Sequence, residues 1–129
     1  MPEINYLAVF AAALSSFLLG GVWYAVLFKK AHSELAGITH EQAQKNLPTV
    51  FGGAFALGLL GALAFAFFIG PVGVAEATMY GFTAGLCWVA GSFGINYLFE
   101  RRPLKLFLIN GGYHTLQYTL IGLILGAWK

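Results

Sequence analysis

Four long apolar segments dominate this sequence: residues 4–28, 50–70, 77–99 and 106–128. Each contains at least 21 residues, and about 20 mostly apolar residues allow a helix to cross the roughly 30 Å of hydrocarbon in a bilayer. Leu, Ala, Phe and Gly run through these segments without the apolar–polar alternation that is typical of a membrane strand. The segments therefore predict four transmembrane helices.

The composition agrees with a membrane protein and excludes most soluble classes. Charged residues make up 9% of the 129 residues and hydrophobic residues 59%, whereas soluble domains carry about a quarter charged residues and at most about half apolar ones. The longest stretch between predicted spans, residues 29–49, is too short for a second domain. We expect one domain over residues 1–129: an all-α integral membrane protein, folded as a compact bundle of four transmembrane helices with short loops.

The basic residues predict the orientation of this bundle. Six of the seven lie in the two connections that share one side of the membrane, namely Lys29, Lys30, Lys45, Arg101, Arg102 and Lys105. Basic loops stay in the cytoplasm, so both termini are predicted outside, in a bacterial cytoplasmic (inner) membrane. We expect contacts with lipid headgroups on the cytoplasmic side from Lys29, Lys30, Arg101 and Arg102.

The connection between the first two spans carries a helix signal of its own. Thr39 and Gln42 have the spacing of a capping box, in which each residue bonds the backbone N–H of the other. The pattern predicts a short polar helix over about residues 41–46, lying at the cytoplasmic interface before Pro48.

Small residues recur at helical spacing inside the predicted spans. Successive residues of an α-helix are rotated by about 100°, and at that rotation the small residues of each span share one face. Glycines in membrane helices let two backbones approach closely, and we interpret these faces as packing surfaces rather than binding sites. The expected packing residues are Ser16, Gly20, Gly58, Gly81, Gly85, Gly122 and Gly126.

The fourth span differs from the others because polar residues lie along one of its faces. With Asn96 of the third span, we expect these residues to line a polar cavity or ligand-binding site: Asn110, Tyr113, His114 and Gln117. A separate face of the same span is assigned to lipid: Ile109, Leu116, Leu120 and Leu123.

His114 admits three interpretations, because an ionisable residue inside a membrane span is a functional candidate by default. The favoured one is a neutral histidine that hydrogen bonds to Asn96, Gln117 or a tyrosine across the bundle. The second is a residue that binds a polar substrate or relays a proton. The third is a metal or haem ligand, which a single histidine supports weakly. No metal and no cofactor are expected.

Two segments resemble a known family. They are Gly20–Phe28, which reads GGVWYAVLF, and Ile95–Tyr113, which reads INYLFERRPLKLFLINGGY. Both resemble segments of the uncharacterised bacterial membrane family called domain of unknown function 1761, and the closing Gly122, Gly126 and Trp128 also fit. The resemblance covers nearly the whole chain and implies the four-span layout of that family. It implies no established activity, cofactor or catalytic residue.

Three classes of function compete. The leading hypothesis is a transporter- or channel-like homo-oligomer for a small polar solute or ion, in which Asn110 and His114 bind or gate and Gln117 lines the route. The alternative is a non-transporting accessory or lipid-organising protein that packs against a partner in the bilayer. A water-filled cavity that reaches Asn110 and His114 would distinguish them, because transport needs one.

An enzyme is not expected, because the sequence offers no credible acid–base pair or nucleophile. Nucleic acid is not expected as a partner either. The net charge of +2 reflects the orientation in the membrane, and no phosphate-binding loop is present.

Overall fold

A computed structural model describes residues 3–128. Over these residues the protein has six helices and no strand, which confirms the all-helical class. The bounds of the four long helices lie within three residues of those predicted from the sequence. In chain order the helices are α1 Tyr6–Leu27, α2 Lys29–Ala36, α3 His40–Ala43, α4 Leu47–Ile69, α5 Val74–Glu100 and α6 Leu104–Ala127.

Three of these helices, α1, α4 and α5, are long and apolar enough to cross a membrane. The chain is therefore a small multi-pass membrane protein. Helix α6 is of similar length, with 24 residues, yet it does not join that set. Its middle carries the polar residues Asn110, His114 and Gln117, which lower the hydropathy of the segment.

The long helices are arranged around α6. Helix α5 packs along one side of α6 and α1 along another, while α4 packs against α1 and meets α6 through the rings of Phe65 and Tyr118. The most extensive contacts therefore follow the order α5–α6–α1–α4, and α1, α4 and α6 share a hydrophobic core. Lipid solvates an apolar helix as well as another helix does, so the uniformly apolar α4 gains little from further protein neighbours.

The connection between α1 and α4 is more structured than the sequence indicated. Helix α2, which was not predicted, ends at Gly37 in the left-handed conformation that commonly terminates helices. The capping box at the start of α3 is confirmed: the Thr39 hydroxyl accepts from the Gln42 N–H at 3.1 Å, and the Gln42 side chain accepts from the Thr39 N–H at 2.9 Å. Helix α3 ends earlier than predicted, and Asn46 then takes a left-handed conformation.

Two long helices contain π-helical segments, in which the backbone N–H bonds the carbonyl five residues earlier. One is Trp23–Leu27, at the end of α1, where the Phe28 N–H donates to the Trp23 carbonyl at 2.9 Å. The other is Ala84–Ala90, in the middle of α5. A wider turn changes the rotation per residue, so residues beyond each segment leave the face that a constant 100° predicts.

Candidate functional site

Asn110 is the centre of a polar network that joins three helices. The side chain is buried in α6. Its amide nitrogen donates to the Tyr97 hydroxyl of α5 at 2.6 Å, and its amide oxygen accepts from the Tyr24 hydroxyl of α1 at 2.7 Å. One carboxamide therefore connects α1, α5 and α6 by using both of its polar atoms.

Two further side chains connect α1 to α6. The Tyr113 hydroxyl donates to the Ser16 carbonyl at 3.0 Å, and the Trp23 indole N–H donates to the Ile109 carbonyl at 2.8 Å. Trp23 and the neighbouring Tyr24 both belong to the π-helical segment of α1, so the wider turn presents two consecutive donors to one helix. Such segments occur frequently at functional positions.

His114 bonds within its own helix. Its Nδ1 lies 2.7 Å from the amide oxygen of Gln117, one turn further along α6. Since an amide oxygen only accepts, this orientation of the amide places the proton on Nδ1. The imidazole stacks on the Phe93 ring at 5.0 Å and meets the edge of the Tyr113 ring at 4.8 Å. His114 thus has a polar partner on α6 and an aromatic partner on α5.

The fully buried polar atoms of the network all have partners. Among the side chains that the structure describes, no buried nitrogen or oxygen atom lacks a hydrogen-bond partner. A buried polar group without a partner costs about 1–3 kcal/mol, and each one would have indicated where a ligand or water binds. Neither of two cavities at the helix ends is lined by Asn110, Tyr113, His114 or Gln117.

The structure brings Tyr97 rather than Asn96 to Asn110, and Asn96 is exposed. The physical reason is the π-helical segment Ala84–Ala90, which interrupts the constant rotation used to place Asn96 on the inner face. Tyr24 and Tyr97 were not among the predicted site residues. Their only sequence signal is a hydroxyl-bearing ring inside an apolar segment, which needs a polar partner when it is buried.

The predicted packing glycines on α5 and α6 lie at one contact between those helices. A methyl group added to Gly85 would lie 2.6 Å from the His114 carbonyl oxygen and 2.8 Å from the Thr115 Cα. The equivalent atom on Gly126 would lie 2.7 Å from the Val74 Cα. Gly81 and Gly122 face the partner helix just as closely, against the backbone carbonyls of Tyr118 and Ala77 respectively.

The remaining packing residues lie between α1, α4 and α6. Ser16 is fully buried, and its hydroxyl donates to the Ala13 carbonyl of its own helix at 3.0 Å. Gly20 lies beneath the Tyr113 ring, and Gly58 of α4 faces the Gln117 amide at an ordinary van der Waals distance. Gly58 therefore lies at the contact between α4 and α6.

The predicted lipid face of α6 needs one correction. Ile109 is buried, with 4% of its surface exposed, whereas Leu116 and Leu123 are exposed as expected. The Ile109 carbonyl accepts the Trp23 indole proton, so this turn of α6 lies beneath the end of α1. The constant rotation per residue predicts which residues share a face of α6, but it does not predict which neighbouring helix covers each turn.

A basic groove lies at the end of the molecule that carries α2 and α3. It has a volume of about 730 Å³ and is bordered by the end of α1, by α2, by α3 and by the start of α6. Its lining includes Lys29, Lys30, His40 and Lys105. Glu34 is the acidic residue among them. The groove is therefore positively charged.

The walls of the basic groove are largely apolar. Val26 and Leu27 come from the π-helical end of α1, and Leu35 and Ile38 come from α2 and the turn after it. Val26 and Leu27 keep 71% and 61% of their surface exposed. The groove thus pairs an apolar wall at the end of a membrane helix with lysines next to it.

The four basic residues that were predicted to contact headgroups lie at two separate places in the structure. Lys29 and Lys30 line the groove, but Arg101 and Arg102 lie at the turn between α5 and α6 and are not part of it. The Arg102 guanidinium lies 3.5 Å from the Glu100 carboxylate. Lys105, which was not among the predicted headgroup contacts, lines the groove from the first turn of α6.

His32 connects this end of the molecule to the polar network. Its ring meets the Tyr24 ring edge-on, with the centroids 4.7 Å apart, and Tyr24 bonds Asn110. Burial lowers the pKa of His32, because the charged imidazolium is poorly solvated there. The ring is therefore neutral at pH 7 and packs as an aromatic group that fixes α2 against α1.

The opposite end of the molecule contains a smaller cavity of about 360 Å³ between the start of α1 and the ends of α4 and α6. Glu3, Asn5 and Trp128 belong to its lining, which includes no basic residue of the described chain. Within residues 3–128, no group of three His, Cys or Glu side chains is placed to hold a metal ion. The two ends therefore differ in charge, and the basic one has the larger cavity.

Comparison with known proteins identifies the family and no closer relative. No curated protein and no solved structure matches the chain. The family model described as a protein of unknown function, DUF1761, matches residues 7–126. This match covers the network, the glycine contact and the basic groove, and the protein therefore belongs to the DUF1761 family.

Proposed function

We propose that α6 crosses the membrane as a fourth span, with α2, α3 and the turn at Arg101 on the cytoplasmic side of a bacterial inner membrane. A helix of 24 residues is about 36 Å long, enough to cross the hydrocarbon. Its polar side chains face α1 and α5 rather than lipid. The unequal distribution of basic residues supports the orientation.

Cysteine labelling of intact cells tests this orientation. His40→Cys, Gly73→Cys and Trp128→Cys are made in a Cys87→Ala background, because Cys87 is exposed. We expect an impermeant reagent to label positions 73 and 128 from outside and position 40 only after the cells are opened. Labelling of position 40 in intact cells would reverse the orientation, and protection of position 128 would remove α6 as a span.

For the activity, the geometry favours the non-transporting alternative. The observation that carries the proposal is the closed network around Asn110, in which both amide atoms bond tyrosine hydroxyls of neighbouring helices. A transport pathway needs polar groups that exchange partners with a permeant. Here they bond one another, and hydrogen bonds between membrane helices fix which helices associate. The polar face of α6 therefore sets helix order.

The protein is accordingly proposed as an accessory or lipid-organising membrane protein. Its interior supplies a rigid support through α6, and its cytoplasmic end presents the basic groove. Such a protein acts by binding a partner or lipid at its surface rather than by transporting a solute through its core, and it performs no chemical reaction.

Flux measurements test this proposal directly. Wild type and His114→Ala are reconstituted in liposomes and compared with protein-free liposomes for K⁺, Cl⁻, H⁺, glycerol and amino acids. We expect both proteins to match the protein-free control. A flux that wild type carries and His114→Ala loses would establish the transport hypothesis instead, with His114 in the pathway.

The homo-oligomer that accompanies the transport hypothesis stays a prediction. Native mass spectrometry from mild detergent measures the number of copies, and it also detects a bound partner or lipid. A monomer agrees with the accessory role. A discrete oligomer together with a flux would favour the transporter- or channel-like homo-oligomer over the accessory role.

A further inference from the structure

We infer that the basic groove binds one anionic phospholipid of the cytoplasmic leaflet, with the phosphate at the lysines and an acyl chain along the apolar wall. The inference rests on the proposed function only for the orientation that brings this end to the cytoplasmic leaflet. It adds a ligand class and a binding site, neither of which the polar network requires.

The lysines provide the recognition of the headgroup. Lys29 and Lys30 come from the first turn of α2 and Lys105 from the first turn of α6, so the charges reach the groove from two elements far apart in sequence. With Glu34 as the acidic residue of the lining, three lysines against one carboxylate leave an excess of positive charge. Basic pockets at the cytoplasmic ends of membrane helices are suited to phospholipid phosphates.

The apolar wall distinguishes a lipid from a free phosphate. Val26 and Leu27 end a helix that is apolar enough to cross a membrane, and Leu35 and Ile38 continue that wall on the side of α2. A free phosphate ester would leave these side chains uncovered, whereas a phospholipid covers them with an acyl chain while its phosphate stays at the lysines. The combined chemistry is that of an anionic amphiphile.

Two cations outside the groove form ion pairs. Lys45 lies 3.6 Å from the Glu41 carboxylate, and Arg102 lies 3.5 Å from that of Glu100. Both pairs are exposed and lie outside the lining of the groove. Arg101 and Arg102 therefore provide a control that removes two positive charges from the same end of the molecule without altering the groove.

The test is native mass spectrometry of the full chain released from nanodiscs of equimolar phosphatidylglycerol and phosphatidylcholine. Three variants are compared with wild type: Lys29→Gln with Lys30→Gln, Lys105→Gln alone, and Arg101→Gln with Arg102→Gln. Each lysine near an anionic lipid surface contributes a factor of roughly five, so we expect the first variant to lower the ratio of phosphatidylglycerol-bound to bare protein about 25-fold. Lys105→Gln is expected to lower it about fivefold and the arginine control much less.

The result that overturns the inference is an equal loss in the lysine and arginine variants, which would show general surface attraction, or no loss in either lysine variant. Lys105→Gln keeps the test decisive if the α2 variant fails to fold, because it changes a different helix. In a second arm, glycerol 1-phosphate is added to protein in neutral detergent. Binding of this headgroup fragment as tight as that of phosphatidylglycerol would overturn the role of the acyl chain. Neither arm depends on the flux result.

Discussion

Helices α4 and α6 have nearly the same length, 23 and 24 residues, and opposite roles. Helix α4 is apolar all round, buries one residue, Ala62, and packs mainly on α1. Helix α6 carries the polar residues, buries ten residues and contacts both α1 and α5. Hydropathy detects α4 easily and α6 poorly, because it measures suitability for lipid. The helix that contacts both α1 and α5 is the long helix that is not among the three candidate spans.

The largest difference in stability is expected between a glycine substitution at the contact of α5 with α6 and one on α4. In Gly85→Leu the new side chain meets backbone atoms of His114 and Thr115, which have no room to move. We expect a loss of at least about 3 kcal/mol in the free energy of unfolding, the upper end of the cost of overpacking. Denaturation in detergent, followed by tryptophan fluorescence, measures it.

Gly53→Leu on α4 is the matched control. An added Cβ at Gly53 meets nothing within 4 Å, so stability should be unchanged or slightly higher, because leucine favours the helix over glycine by up to about 1 kcal/mol. Equal destabilisation by the two substitutions would mean that α4 is packed as tightly as α6 and would remove the contrast.

Asn110→Leu is expected to have the next largest effect. The substitution leaves the hydroxyls of Tyr24 and Tyr97 without their partner, at a cost of about 1–3 kcal/mol. Asn96→Leu, on the exposed side of α5, is the control and should change stability by less than about 0.5 kcal/mol. If Asn96→Leu lowers the thermal unfolding temperature more than Asn110→Leu does, Asn96 does not lie on the exposed side of α5.

Tyr113→Phe gives the smallest expected effect, because it removes a single hydrogen bond and keeps the ring. Loss of the bond to the Ser16 carbonyl should cost about 0.6 kcal/mol, the average for hydrogen bonds between membrane helices. Tyr80→Phe, at an exposed ring, is the control with no expected change. A shift in the unfolding midpoint that is equal for both would indicate that the Ser16 contact adds no stability.

The bounds of the long helices could be predicted from the sequence because they depend on local properties. Runs of apolar residues, Pro103 before α6 and the glycines after α4 are all visible within a few residues. Helix α2 was also visible in principle, since Gly37 is a common terminating residue. It was missed because eight residues with two lysines at the start show no N-terminal cap.

The neighbours of each helix could not be predicted, because they depend on contacts between distant parts of the chain. The small and polar faces of α6 were placed from its regular helical period, but nothing local indicates that α5 and α1 cover them. The π-helical segment of α5 changes the rotation of the residues that follow it, so that Tyr97 rather than Asn96 faces Asn110. A π-helical turn has no strong composition signal, so a constant rotation places residues wrongly beyond it.

The polar face of α6 also has a consequence for synthesis. Its hydrogen bonds connect residues far apart in the chain: Tyr24 and Asn110 are 86 residues apart, and Ser16 and Tyr113 are 97 apart. A ribosome makes α1, α4 and α5 before α6. The two neighbours of α6, helices α1 and α5, are therefore made before the helix that joins them. Final assembly therefore depends on the last helix of the chain reaching the two that it joins.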